Sequence, residues 1–298
     1  MKREKSTCAI RPRKSKFIEI LRTTPVDTVC PNFFVLAHAN GCTFDCEYCY
    51  LKSSLWHQGS HVAYSNVDAM REQVRKWIAK DDLESYVLNS GNLSDSLAFE
   101  SQRPMVRELI EEFRVAERSG RKHALLLLTK GGMAECENLM ELEPCANVIV
   151  SFSVNSPEAA ARYEKGAASP QERLAAAAQL KARGWRLRMR VDPMIAGFEY
   201  QWTFDQVRRL APERVTLGCL RAEASLPKFA GAELFAELAP ATKPKGMARY
   251  PRPVRMALYR QGVATLLPIC QVGLCEETPD VWDELGLDKE AKCCNCGS

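Results

Sequence analysis

No stretch of this 298-residue chain approaches the run of about 18–20 apolar residues that a membrane-spanning helix requires, which excludes that class of membrane protein. The N-terminus has basic residues but lacks an apolar signal segment, so export is not expected and a cytoplasmic location is. Its Arg-rich start leaves an organellar transit peptide as the alternative. No internal repeat or low-complexity segment is visible, which excludes a repeat array or a disordered tail as the main architecture. Acids are missing altogether from Pro240 to Gln261, against six Lys/Arg, and scarce from Met1 to Arg22, with two Glu against eight Lys/Arg. From Cys270 to Ser298 the balance reverses, with seven acids against two Lys. Either basic stretch could neutralise phosphates or be plain solvated surface. The net charge of +4 is too small to decide, and 46% hydrophobic with 26% charged residues is an ordinary soluble composition.

Cysteine, by contrast, is abundant. Of thirteen, eight gather in two tight groups, a distribution that points to metal or cluster binding in a reducing compartment. Between the groups, short apolar runs alternate with amphipathic ones. Strands are predicted at Phe33–Ala37, Ser85–Leu88, Ala124–Thr129, Asn147–Ser153, Trp185–Val191 and Arg214–Cys219. Helices are predicted from Ser65, as cap, to Lys80, and over Pro104–Ser119, Pro170–Arg183 and Phe204–Leu210. Near-continuous apolar strands separated by helices imply a parallel sheet covered on both faces. Right-handed crossovers curl six such units into a partial (βα)6 TIM-type barrel of the α/β class. The expected division is a basic N-terminal extension over 1–30, the barrel over 31–221 and a C-terminal cysteine-rich extension over 222–298. The chemistry of such folds lies at the C-terminal ends of the strands.

The first group, Gly41-Cys42-Thr43-Phe44-Asp45-Cys46-Glu47-Tyr48-Cys49-Tyr50, puts three thiols just past the first strand. Thiolates are the ligands that iron–sulfur clusters take, and three on a four-iron cubane leave one iron open. The competing reading is zinc, its fourth ligand drawn from His38, His57 or His61.

This CxxxCxxC motif, with an aromatic before its last cysteine, resembles the radical S-adenosylmethionine superfamily. The resemblance implies a catalytic [4Fe–4S] cluster on Cys42, Cys46 and Cys49, whose open iron is chelated by S-adenosylmethionine. It also implies reductive cleavage to a 5′-deoxyadenosyl radical, and an electron donor such as flavodoxin or ferredoxin. From about Asn40 to Pro193 the chain is most similar to the spore photoproduct lyase group. The similarity rests on the cysteine segment through Leu51, Ser94-Asp95, Thr129-Lys130, Phe152–Ser156, Tyr163–Gly166, Ser169 and the helix with Arg173. It implies that Ser94, Asp95, Lys130, Ser153, Asn155, Glu164 and Arg173 surround S-adenosylmethionine. Tyr48 and Tyr50 match tyrosines that relay hydrogen in that group. Asn92 stands where the lyases carry their hydrogen-donating cysteine and has no S–H to give. A rearrangement or modification of a nucleobase or nucleotide, thymine-derived and within DNA, is therefore expected rather than lesion repair. Cys219, at the end of the sixth strand, is a further candidate for the catalytic set. The alternatives are a radical enzyme acting on a peptide or small metabolite, and a non-catalytic zinc- or cluster-binding nucleic-acid module. No feature specifies an oligomeric state.

Arg190 and Asp192 alternate with apolar residues at the end of the fifth strand and are expected to face the barrel mouth, paired with each other or holding the cofactor. In the second cysteine group, Cys270, Cys275, Cys294 and Cys296, with Cys293 spare, would complete an all-thiolate site for a second [4Fe–4S] cluster, with structural zinc as the alternative.

Overall fold

The structure is a computed structural model and describes residues 8–22, 25, 27–58 and 60–297. The first seven residues of the basic N-terminal stretch therefore lie outside the described part.

One eight-stranded sheet organises the chain. Its strands are β1 (Ile18–Leu21), β2 (Phe33–Leu36), β3 (Val87–Asn89), β4 (Ala124–Thr129), β5 (Val148–Val154), β6 (Arg186–Met194), β7 (Arg214–Cys219) and β8 (Gln271–Leu274). Each pairs with its sequence neighbours, and all pairings are parallel except the antiparallel β1–β2 edge. Helices α1 (Val67–Ile78), α2 (Val106–Arg118), α3 (Pro157–Tyr163), α4 (Pro170–Ala182), α5 (Gln201–Leu210) and α6 (Arg252–Leu266) connect them. The apolar strands call for cover on the helix side, and Leu125, Leu127, Val150, Phe152, Met189, Val191, Val215 and Leu217 all join the main buried core.

Local signals explain most boundaries. Ser169 and Glu172 form a reciprocal capping box, and Pro170 stands at the first helical position, so α4 starts where the sequence says it should. It stops before Gly184, whose φ of +96° suits glycine. The predicted cap Ser65 is displaced by Asn66. The Asn66 side chain bonds Arg13 N (2.8 Å) and Arg13 O (3.0 Å) instead, tying the N-terminal segment to the helix.

The alternation does not end near Arg221 as the sequence suggests. Helix α6 and strand β8 add a seventh parallel strand, so residues 222–298 continue the barrel. Only four residues long and interrupted by Gly273, β8 carries too weak a pattern to be recognised. Across the open side, Val29 N donates to Glu277 O (2.8 Å), bringing the segment before β2 beside the end of β8.

Strand alternation places Ser151, Ser153, Arg188, Arg190, Asp192, Arg214 and Thr216 on the inner face. A TIM-type barrel is usually filled by branched apolar side chains, whereas this polar interior receives the C-terminal tail. Arg188 Nη1 donates to the carbonyls of Asn295 (2.7 Å) and Gly297 (2.8 Å). Arg214 Nη1 donates to those of Cys294 (3.0 Å) and Gly297 (3.1 Å), and Ser151 Oγ to Asn295 Oδ1 (2.9 Å). The guanidinium groups supply partners that buried carbonyls need. Gly273 is required here, since a Cβ would stand 2.1 Å from Cys293 O. Gly273→Val is expected to unseat the tail, costing about 1–3 kcal/mol in a denaturant melt and speeding tryptic cleavage after exposed Lys292. Wild-type values for both would show that the tail does not depend on this seat.

Candidate active site at the barrel mouth

The cysteine loop is clamped to the barrel in two places. Gly41 has φ of +85°, its N–H donates to Leu93 O (2.9 Å), and a Cβ would come within 2.5 Å of His61 Nδ1. Further along, Asp45–Cys46 pairs antiparallel with Glu164–Lys165, setting Cys46 opposite Glu164.

Glu164 is the hub of the mouth, with its side chain fully buried. It accepts from the Tyr48 hydroxyl, from Lys130 Nζ (3.2 Å) and from Asn155 Nδ2 (3.2 Å), and its other oxygen stands 2.5 Å from Arg173 Nη2. Lys130 Nζ also donates to Ser153 Oγ (2.7 Å), and Arg173 Nη1 to Ser153 O (3.0 Å). Burial would raise the Glu164 pKa, but Lys130 and Arg173, with the Tyr48 hydroxyl, outweigh it and hold it at about 2. Burial, reinforced by Glu164 and Cys46, pushes Tyr48 well above the usual phenol value, so it stays a neutral donor.

Asp95 acts on the backbone. Its carboxylate accepts from Leu97 N (2.9 Å), Thr129 Oγ1 (2.9 Å) and Lys130 N (2.6 Å), fixing the turn that aims Lys130. Ser94 is buried, its hydroxyl donating to Asp95 O (3.0 Å). The Tyr50 hydroxyl donates to Asn92 O, joining these two candidates at the rim. Arg190 and Asp192 face inward and pair as expected, with an added partner that sequence reasoning missed. Arg221 Nη1 lies 2.9 Å from Asp192 Oδ1, and its Nε 2.6 Å from Glu276 Oε2. Burial works against the Asp192 charge, but Arg221 and Arg190 hold its carboxyl well below the usual range. Arg188 was also missed, although it shares the alternation of Arg190 and Asp192. Tyr200, whose hydroxyl donates to Asn155 Oδ1 (2.8 Å), carries no such signal.

Cys219 falls outside the mouth, and Cys270 outside the second cysteine group. Cys219 sits on the helix-facing side of β7, in the main core, with its N–H bonded to Tyr259 Oη (3.1 Å). Parity decides this: Arg214 and Thr216 face in, so Cys219 faces out. Cys270 precedes β8 at its far end, its thiol against Leu266 O (3.5 Å), while Cys275 follows the strand. The two are about 16 Å apart along extended chain.

Among the described residues, no three His, Cys, Asp or Glu side chains form a ready-made metal-ion site. His38 is no zinc ligand, because Nε2 meets Ser90 O (3.1 Å) and Nδ1 meets Arg103 Nη2 (3.0 Å). The donor set fits a cluster instead. Cys42 and Cys46 each lie within electrostatic reach of Cys49, and the cations Lys130 and Arg173 act on Cys46.

The family model for spore photoproduct lyase matches residues 7–216. The chain belongs to the spore photoproduct lyase family. Spore photoproduct lyase of Geobacillus sp. is 27% identical over 178 residues, covering 59% of this chain and 50% of the relative. That of Bacillus subtilis is 23% identical over 203 residues, covering 66% and 58%. The chain thus spans between half and three-fifths of these relatives' length. Among solved structures, spore photoproduct lyase complexed with dinucleoside spore photoproduct superposes with a TM-score of 0.72 at 19% identity, covering 91% of this chain and 83% of that one. A lyase variant with bound S-adenosylmethionine and the same dinucleoside also gives 0.72, covering 90% and 82%. Streptococcus suis SuiB bound to S-adenosylmethionine gives 0.53, covering 83% and 51%. These likenesses support the partial-barrel fold, and no helix among the described residues is long and apolar enough to cross a membrane.

Because Glu164 ionises more readily folded than unfolded, its contribution is present above the unfolded carboxylate value and lost as pH falls toward about 2. Glu164→Gln leaves Lys130 and Arg173 facing a neutral amide. It is expected to cost roughly 3–5 kcal/mol at pH 7 and to flatten the loss of stability between pH 5 and 3, as read by urea melts. An unchanged melt at pH 7 would remove Glu164 as the hub.

Proposed function

We propose that this chain is a radical S-adenosylmethionine enzyme that modifies or rearranges a nucleobase, thymine-derived and within DNA. The observation that carries the reading is the convergence, behind three thiols, of Lys130, Asn155 and Arg173 on Glu164, with Ser153 holding Lys130. A [4Fe–4S] cluster on Cys42, Cys46 and Cys49, with S-adenosylmethionine on its open iron, would supply a 5′-deoxyadenosyl radical at this mouth. The chain's own groups bind and orient. Glu164 fixes Lys130 and Arg173 as donors, Asp95 sets the Lys130 turn, Tyr48 anchors Glu164 and Tyr50 bonds Asn92 O at the rim. The pair Arg190 and Asp192 fits the sugar or carboxylate of the cofactor.

Relatives whose structures hold dinucleoside spore photoproduct support the substrate class. So does an exposed pair next to the cysteine loop: Trp56 and Phe229 stack with centroids 6.0 Å apart and planes 21° from parallel, a surface on which bases can lie. Asn92 in place of the lyase thiol favours rearrangement or modification over repair. Of the two basic stretches, the N-terminal one suits phosphates better, since Arg11, Lys14 and Lys16 are exposed. In the other, Lys243 pairs with Asp27, Arg252 with Asp280 and Glu284, Arg255 with Glu277 and Arg260 with Glu284. That pairing is the observation favouring the second reading, a peptide or small-metabolite substrate.

Anaerobic reconstitution followed by S-adenosylmethionine and dithionite is expected to release 5′-deoxyadenosine from the wild type and none from the Cys42→Ala/Cys46→Ala/Cys49→Ala variant. Absence of 5′-deoxyadenosine from the reconstituted wild type would overturn the reading and favour a binding module. Binding to thymine-rich oligonucleotide is expected to weaken with salt, and Lys14→Ala/Lys16→Ala to lower the log–log slope by about one to two. A slope of zero would leave the small-substrate reading.

A further inference from the structure

We propose that the tail completes a second centre inside the barrel, an iron–sulfur cluster held by Cys30, Cys275, Cys294 and Cys296. Three separate pieces of chain bring these thiols together. The Val29–Glu277 bridge sets Cys30 across from Glu276, next to Cys275. The Arg188, Arg214 and Ser151 bonds and the bare Gly273 surface press residues 293–297 into the interior, with Cys294 buried. Cys30 is close enough to Cys294 and Cys296 for their charges to act on it.

The surroundings are those of a charged sulfur centre. Cys275 Sγ has two guanidinium neighbours, Arg221 Nη2 at 3.0 Å and Arg190 Nη2 at 3.3 Å, and Asn89 Nδ2 points at Cys296 Sγ from 3.6 Å. Cationic and N–H donors of this kind offset the negative charge that four thiolates bring to a cluster. In the same turn Asn295 Nδ2, and on the inner face of β7 Thr216 Oγ1, are buried without a partner among the described residues. Both are donors that a sulfide would satisfy. Arg190 and Arg221 would be shared between this centre and Asp192.

Two thiols of the tail region are left out. Cys270 lies at the opposite end of β8, beyond reach of Cys275, and Cys293 contributes its backbone to the Gly273 seat. The membership of Cys30 is visible only after folding, because about 240 residues of chain separate it from the others. A single zinc would hold four thiolates about 3.8 Å apart, given Zn–S bonds of about 2.3 Å. No such gathering exists among the described residues, and a cluster, whose thiolates stand further apart, does not require one.

The test uses the full chain, anaerobically reconstituted, with iron, sulfide and zinc counted and the iron read by Mössbauer spectroscopy. The wild type is expected to hold about eight irons, and the Cys42→Ser/Cys46→Ser/Cys49→Ser variant about four with four sulfides. Adding Cys30→Ser or Cys294→Ser to that triple variant should remove most of the remainder, while adding Cys270→Ser should leave it. Circular-dichroism melts of the metal-free proteins, expected to be alike for the Cys30→Ser and Cys270→Ser additions, separate lost ligation from lost folding. Zinc in place of iron, no iron in the triple variant, or iron that ignores Cys30→Ser would each overturn the proposal. A wild type with four irons that still forms 5′-deoxyadenosine would overturn it and leave the proposed function standing.

Discussion

Everything at the mouth depends on one buried carboxylate. Glu164 is taken out of water among two cations, an amide and a phenol, an arrangement that is costly unless every partner is present. Its backbone is zipped to Cys46, so the same residue fixes both the cysteine loop and the donors that face it. Electrostatics and strand pairing therefore coincide. The loop cannot shift without moving the carboxylate, and the carboxylate cannot move without stranding Lys130 and Arg173. A positively charged wall is in this way held at a set position behind three thiols, before any ligand arrives.

A second net of charge, Asp192 with Arg190 and Arg221, extends the polar lining from the mouth into the barrel. An inner face carrying three arginines and two serines on β5, β6 and β7 cannot pack on itself. Arg188 already meets Glu213, Arg190 meets Asp192 and Arg214 meets Gln271, but branched apolar side chains would leave the inward-facing N–H groups of Arg188 and Arg214 without acceptors. The tail resolves this by bringing backbone carbonyls, which are neutral acceptors, to Arg188 and Arg214. Residues 293–297 are thus seated against the inner face, with Cys294 and Asn295 buried.

Much of this is legible in the sequence, for reasons that differ by residue. The thiol spacing of the first group is a short-range pattern that folding only tightens. Strands such as Ala124–Thr129 and Arg214–Cys219 show their bounds because long apolar runs and their turns are local. Lys130, Ser153 and Glu164 came from family resemblance, and their meeting at one point rests on tertiary structure. Cys219 ends a strand near the mouth, but strand parity turns it into the core, a fate common to lone strand cysteines. Strand β8 was too short and too glycine-interrupted to compete with its proline-rich surroundings. Arg221 and Tyr200 carry no local signal at all, because their roles are set by partners about 29 and 45 residues away.

Solved lyase structures superpose on 91% of this chain, further than the family match. That match ends at residue 216, so it takes in every mouth residue from Cys42 to Asp192 but neither Arg221, β8 nor the tail. Resemblance can therefore speak for the cysteine loop and its facing donors, and the interior beneath them must be argued from its own chemistry. There Tyr50, next to Cys49, is near enough to Cys296 to feel its charge, so mouth and interior meet at that ring.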